Sequence, residues 1–294
     1  MPTLGIITCQ ILELEFAYIL SNNPDVAVVR ILENPFAHGF CEAMERIGGR
    51  PVERIRYLTP ASGRSPAGLD IVVRVMEVGL HSVIQDLKNG VRDAASELAD
   101  GVDAILVGYG LCGNAFQNPD ELFADIGVPI FMPMDGDHVV DDCVGLVIGG
   151  REHYYEEQCR CAGTMFLTPG WTRHWKKVLL SGRRYDLKML KRLMAEYKRL
   201  LILPTPVMSE EEMAPSALEF IEMFGLEPEI RPGTLSLLDR TWTVVKNGLL
   251  SMEPFLNLRK EVEEIQNAEF SVGRLPKKLC SAEEENSAIF AAKK

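Results

Sequence analysis

The chain has 294 residues, 47% hydrophobic and 25% charged, enough for a sizeable core that needs no disulfide or structural metal to hold it. With 31 basic against 42 acidic residues the net charge is −11, which argues against general nucleic-acid binding, since an acidic surface repels a phosphate backbone. No apolar stretch has membrane-spanning length and the first is too short for a secretory signal, which predicts a cytoplasmic protein with no membrane partner.

In chain order, residues 4–9 (Leu4-Gly5-Ile6-Ile7-Thr8-Cys9) form an apolar run ending at a polar turn. Residues 11–20 then carry apolar side chains at helical spacing, with Glu13 and Glu15 directed outward. Strand 26–32 and helix 36–47, closed by Gly48-Gly49, repeat the pattern. The stretch 59–69, rich in Pro, Gly and Ser, reads as a loop; 70–76 reads as a strand and 81–98 as a long helix. The continuous apolar run 104–108 has the character of a strand buried on both faces. Further strands are predicted at 128–132 and 165–168, with helices at 138–148 and from Arg151. Helix 186–198, strand 200–203, helix 210–224 and edge strand 228–231 follow. The basic run Arg173 to Lys177, continued by Arg183-Arg184, reads as a solvated helix face. Residues 249–272 contain a helix without an assigned place, and the charged tail after Arg274 is expected to be mobile. This alternation predicts an α/β fold: a largely parallel sheet with helices on both faces, a Rossmann-like three-layer sandwich. Two similar lobes, the second starting near residue 198, are an alternative arrangement.

Seven cysteines, odd in number and irregularly spaced, read as free thiols rather than bridges. Cys9 ends the first strand, Cys112 follows the 104–108 strand, and Cys143 comes shortly after the 128–132 strand. In a parallel sheet the loops leaving the carboxyl ends open on one edge, where ligands bind, so three distant cysteines are gathered on one rim. Gly108-Tyr109-Gly110-Leu111-Cys112-Gly113-Asn114 sets three glycines around one cysteine, and glycine permits positive φ and close backbone approach. Three thiolates with an open fourth position suit a substrate-binding iron–sulfur cluster or a catalytic zinc, with His81 as candidate fourth ligand. The competing explanation is that a buried cysteine is simply a small hydrophobe. Cys159-Arg160-Cys161 reads as structural, because adjacent helix positions do not share a face. Thr168 and Trp171 fall at a strand end, as a hydrogen-bonding residue and a wall of the site or as a buried turn. Arg151 and Tyr154, one helical turn apart, suit an anion, although an Arg–Asp pair explains Arg151 equally well. A nucleotide loop is disfavoured: dinucleotide glycine spacing and Gly-Lys-Ser/Thr are both absent.

The glycine loop resembles the hallmark of domain-of-unknown-function family 1638. Gly5-Ile6-Ile7-Thr8-Cys9, Gly79-Leu80-His81, Asp142-Cys143, Gly149-Gly150-Arg151-Glu152-His153-Tyr154 and Gly163-Thr164-Met165-Phe166-Leu167-Thr168-Pro169-Gly170-Trp171 are similar to further family motifs. The resemblance spans residues 3–245. It departs at Asp141, where the family carries histidine and where His138 lies three residues earlier, and near Met132-Pro133-Met134, which lacks the family's Pro-Arg. It implies an α/β domain over 1–245, with 246–294 as a helical extension and tail. It also implies an origin among methanogens or other anaerobes, near corrinoid-dependent methyltransferases.

Together these readings predict a metal-binding protein, an anaerobic lyase or transferase with Cys9, Cys112 and Cys143 holding a [4Fe–4S] cluster or, alternatively, zinc. His81, His138 and Asp142 are the candidate acid–base and supporting groups. Tyr109, Gly110, Asn114, Arg151, Tyr154, Thr168 and Trp171 are the candidate contacts to a small methylated or sulfur-containing substrate. The alternative is a non-enzymatic metal or cofactor carrier for corrinoid methyltransferase partners; no Asp-x-His-x-x-Gly corrinoid motif supports direct corrinoid binding.

Overall fold

The computed structural model describes residues 2–48, 51–58, 68–180 and 186–251. Its strands are β1 (Thr3–Cys9), β2 (Val26–Leu32), β3 (Val52–Ile55), β4 (Leu69–Met76), β5 (Ala104–Gly108), β6 (Ile130–Phe131), β7 (Met134–Asp135), β8 (His138–Val139), β9 (Thr164–Leu167), β10 (Arg199–Ile202) and β11 (Glu227–Ile230). Its helices are α1 (Glu13–Asn22), α2 (His38–Ile47), α3 (Ile84–Ala99), α4 (Pro119–Leu122), α5 (Cys143–Ile148), α6 (Arg151–Arg160), α7 (Pro169–Leu180), α8 (Leu187–Leu193), α9 (Glu210–Phe224) and α10 (Ser236–Ser251).

β1 to β6 form one parallel sheet in the order β3-β2-β4-β1-β5-β6. Alternate residues of the central β1 face opposite ways. Leu4 and Ile6 join Phe16, Leu20, Phe40 and Met44 of α1 and α2, whereas Ile7 and Cys9 join Leu87, Val91 and Leu98 of α3. Helices therefore cover both faces, the three-layer α/β arrangement that the continuous apolar runs require. The chain leaves β1 toward one face and β4 toward the other. The carboxyl ends of β1 and its neighbours thus form the crevice where open α/β sheets bind ligands.

A second parallel sheet, in the order β11-β10-β9, starts at Thr164, upstream of residue 198. Its buried Arg199 is bonded to Thr164 Oγ1, to the Glu157 carbonyl and to Glu229 at 2.8 Å. Glu157 also receives Arg231 at 2.7 Å, so every charge in this interior network has a partner.

The local readings need several corrections. Glu13 and Glu15 do not point outward; both are fully buried, because α2 and α7 pack over the start of α1. Residues 10–12 form a 3-10 turn before α1, and His81 sits in a 3-10 turn (Val78–Ser82) ahead of α3. The segment 138–148 is not one helix. His138 and Val139 pair with Asp135 and Met134 in an antiparallel hairpin, and α5 begins only at Cys143. The strand predicted at 128–132 shrinks to two residues. The basic run 173–177 lies on α7, yet Trp175 is buried, its indole donating to Ser216 Oγ at 2.8 Å. α10 was not anticipated. Arg183-Arg184, most of loop 59–69, the chain beyond Ser251 and Cys280 lie outside the described residues.

Candidate thiol site

Strand register places the first two cysteines. Thr8 of β1 is paired with Gly108 of β5, so Cys9 and Tyr109 follow the last paired residues of adjacent strands. Beyond Tyr109 the chain turns sharply: Cys112, Gly113 and Asn114 have φ of 46°, 66° and 67°. A left-handed conformation costs a non-glycine residue about 1–2 kcal/mol, and such strain persists only where its surroundings enforce it. Here the enforcement is visible. Leu111 and Cys112 donate their N–H groups to the carbonyls of Val140 and Asp141, at 2.8 and 2.9 Å. A Cβ on Gly110 would lie 2.5 Å from the Val140 carbonyl oxygen, so only glycine permits this approach. The turn is thereby laced to the segment that delivers Cys143, the first residue of α5.

The third wall comes from α7. A Cβ on Gly170 would lie 1.7 Å from the Ile11 carbonyl oxygen, so α7 seats directly against the turn after Cys9. Thr168 caps this helix, taking the Trp171 N–H on Oγ1 at 3.3 Å. Trp171 then packs among both cores, with its indole N–H directed to the Cys143 sulfur.

The three thiols are brought together. Burial, first of all, raises the pKa of each: Cys9 is pushed up to about 12, and Cys112 and Cys143 go well above the ordinary value. Cys112 is raised further by Cys9 and Asp142, and Cys143 by Asp142, Cys9 and Cys112. Each sulfur also has N–H donors of its own. Cys9 has Ile11 and Leu12, Cys112 has Gly110, and Cys143 has Trp171. As free groups these thiols are neutral and poor nucleophiles. Three thiolates in such a place require a positive partner, which inverts the local electrostatics.

Tyr109 lies in their midst. It is 1% exposed, and its hydroxyl has no hydrogen-bond partner among the described residues. Burial, and then the charges of Cys9, Cys112 and Cys143, raise its pKa well above the ordinary value. His81 stacks on the ring at 5.9 Å and Phe116 tilts against it at 5.5 Å. His81 itself is exposed; its Nδ1 lies 3.2 Å from the Val78 carbonyl, and desolvation against the wall lowers its pKa. Asn114 is exposed at the mouth, while Cys112 and Cys143 are half-buried and Cys9 is buried.

Other candidates have structural work. Asp142 caps α5, its Oδ1 accepting from Val144 at 2.9 Å and Gly145 at 2.8 Å, with the Tyr154 hydroxyl as a third donor. Burial is nevertheless the largest influence on Asp142 and raises its pKa. Tyr154, raised in turn by burial, packs edge-on to Phe166 at 4.8 Å. Arg151 holds Asp141 from Nε, at 2.9 and 3.2 Å, so the Arg–Asp alternative describes it. The His138 ring faces Asp137 at 3.0 Å and Asp135 at 3.7 Å. Cys161 caps the end of α6. Among the described residues no cysteine forms a disulfide.

Sequence reasoning set one group on the wrong side of its helix. Glu13 accepts from His174 Nε2 at 3.0 Å and pairs with Arg173 at 3.4 Å, while Glu15 has no hydrogen bond to either carboxyl oxygen. Burial, opposed by its own N–H and helped by the Glu13 charge, raises the Glu15 pKa from 4.5 to about 8. Both carboxylates add to the rise in Cys9. The only local signal was two glutamates directly after a strand-end cysteine.

Among the described residues no three His, Cys, Asp or Glu side chains are set to clasp a single metal ion. One zinc would need its thiolates about 2.3 Å from a common point. A [4Fe–4S] cluster, in which each cysteine binds a different iron, makes no such demand, and thiolates are its usual donors.

Fold and site together define a three-layer α/β protein with a three-thiol site at the carboxyl edge of its main sheet. The chain belongs to the DUF1638 family of proteins of unknown function, whose model matches residues 75–242, more than half its length. That span holds Cys112, Cys143 and Trp171, while Cys9 precedes it. No curated protein and no solved structure matches the chain. Among the described residues no helix is long and apolar enough to cross a membrane.

Proposed function

We propose that Cys9, Cys112 and Cys143 hold a [4Fe–4S] cluster, and that the protein is an enzyme acting on a small methylated or sulfur-containing metabolite in a reducing, cytoplasmic setting. The observation that carries this reading is that buried Cys9 and half-buried Cys112 and Cys143 all act on the buried Tyr109 phenol, whose hydroxyl has no partner among the described residues. When bound, such a cluster offers one iron without a protein ligand as a Lewis acid. The chain's own groups do the rest. The N–H donors of Ile11, Leu12, Gly110 and Trp171 stabilise negative sulfur. The Trp171 ring and α7 form one wall, and desolvation lowers the pKa of His81, which favours its neutral form as the candidate proton acceptor. Corrinoid methyltransferases as partners remain part of this proposal.

The test is anaerobic purification, a visible spectrum, and iron, sulfide and zinc analysis of the wild type and of Cys9→Ala, Cys112→Ala and Cys143→Ala. Thiolate-to-iron absorption with matching iron and sulfide, lost in each variant, is expected. Stoichiometric zinc without colour would instead assign the site to zinc. Release of metal to a partner without turnover would assign it to a carrier. A colourless protein that ferrous iron and sulfide cannot reconstitute would overturn the metal reading altogether.

A further inference from the structure

Helix α8 buries little of itself. Leu190 is its one buried residue, and the next anchor is Met194, just past its end. Leu187, Met189 and Leu193 are 50%, 47% and 49% exposed, an apolar surface that nothing among the described residues covers. Leu187, Lys191 and Ala195 follow one another at four-residue spacing, and with Lys188 and Arg192 they line a shallow groove walled mainly by carbon. The cations of this face are left over. On α7, by contrast, Arg173 pairs with Glu13 and Glu42, Lys176 with Glu219, and Lys177 with Glu77. No acidic side chain among the described residues pairs with Lys188, Lys191 or Arg192. Asp186, directly before the helix, is engaged in capping it through the Met189 N–H at 2.7 Å. Lys188 and Arg192 stand one turn apart with like charge, which weakens the helix unless an anion lies beside them.

The chain carries the complement of this face in its own sequence. From Glu261 to Glu269 there are four glutamates and no basic residue, and Phe255, Leu258, Val262 and Ile265 recur at helical spacing beside them. Residues 252–260 join this run to the end of α10 at Ser251. Such a connection extends over about 30 Å, against a radius of gyration of about 18 Å for a domain of some 250 residues, so most of the surface is within its reach. We infer that α8 is the docking surface for residues 255–269 of the same chain, with the glutamates meeting Lys188, Lys191 and Arg192 and the apolar stripe covering Leu187, Met189 and Leu193. A purely anionic partner such as a nucleic acid would leave the three apolar side chains wet, and the net charge of −11 opposes its approach. A short connection also gives the chain's own segment an effective concentration that the same segment of another copy does not match in dilute solution.

The test uses the full chain throughout. Carbodiimide, which joins amines to carboxylates already in contact, is applied to an equal mixture of unlabelled and heavy-isotope-labelled protein. Mass spectrometry should find Lys188 or Lys191 joined to a glutamate of 261–269 within single copies. Products that join a light to a heavy copy would overturn the inference in favour of a dimer. Amide hydrogen exchange of the 187–195 peptide is then compared between the wild type and the triple variant Glu261→Lys, Glu263→Lys, Glu264→Lys. Exchange should quicken about tenfold in the variant. Adding Lys188→Glu, Lys191→Glu and Arg192→Glu to the same chain should restore the slow exchange, which a general loss of stability would not allow. Equal exchange in wild type and triple variant would refute the docking. So would protection of α8 that arises only when anionic vesicles or nucleic acid are added. If the variants fail to fold, the wild type decides, and the absence of any product between α8 and residues 261–269 refutes the contact.

Discussion

Glu15→Gln should flatten the dependence of stability on pH. The Glu15 carboxyl is fully buried, has no hydrogen bond to either oxygen, and has a pKa of about 8 in the folded chain against 4.5 for the free side chain. Between these values the native state binds the proton more tightly than the unfolded state, so stability falls as pH rises. The contribution is present in full below the unfolded value and is gone once the pH has passed the folded one. At 1.36 kcal/mol per unit, the whole shift is worth on the order of 5 kcal/mol, most of it expressed between about pH 5.5 and pH 8.5. Glutamine keeps the shape and cannot ionise. Urea unfolding in reducing buffer, followed by tryptophan fluorescence, should show the wild type losing about 3 kcal/mol more than the variant over that interval. Equal losses would show that Glu15 is not a buried acid in solution, and the packing of α2 and α7 over the start of α1 would need revision.

Four further changes probe the walls of the site. Gly170→Ala places a Cβ 1.7 Å from the Ile11 carbonyl, and should cost about 3 kcal/mol in urea unfolding while making Cys9 reactive toward a small alkylating agent. Asp142→Asn removes a charge that raises Cys143 and Cys112, so the pH midpoint of Cys143 alkylation in metal-free protein should move down. Trp171→Phe removes the indole donor, and the same midpoint should move up; mass spectrometry of alkylated peptides reads both shifts. Asp142→Ala also loses the α5 cap, lowering the unfolding free energy by about 1–2 kcal/mol.

The sequence alone determined the layers and the edge. Runs such as Ile6-Ile7 and Ala104-Ile105-Leu106-Val107 are apolar at consecutive positions because both faces of their strands are covered, and that pattern is local. A parallel sheet then puts its strand ends on one side, which made the neighbourhood of Cys9 and Cys112 legible from their positions. The glycines around Cys112 announced a turn that tolerates positive φ and close backbone approach. What covers a helix is a different matter, since it depends on residues far away in the chain. Glu13 and Glu15 have the spacing of a solvated face, but α2 and α7 together bury them, and α7, more than a hundred residues later, gives Glu13 its partners in Arg173 and His174. The same holds for segment 138–148, whose apolar residues satisfy a helical period but whose first two pair across a hairpin. Tyr109 was visible as a loop residue; that its hydroxyl is stranded among three thiols depends on where His81, Trp171 and the 140–142 backbone come to rest. Local chemistry fixed which residues stand at the edge, and long-range packing fixed which of them lost water and so had their protons and hydrogen bonds put under constraint.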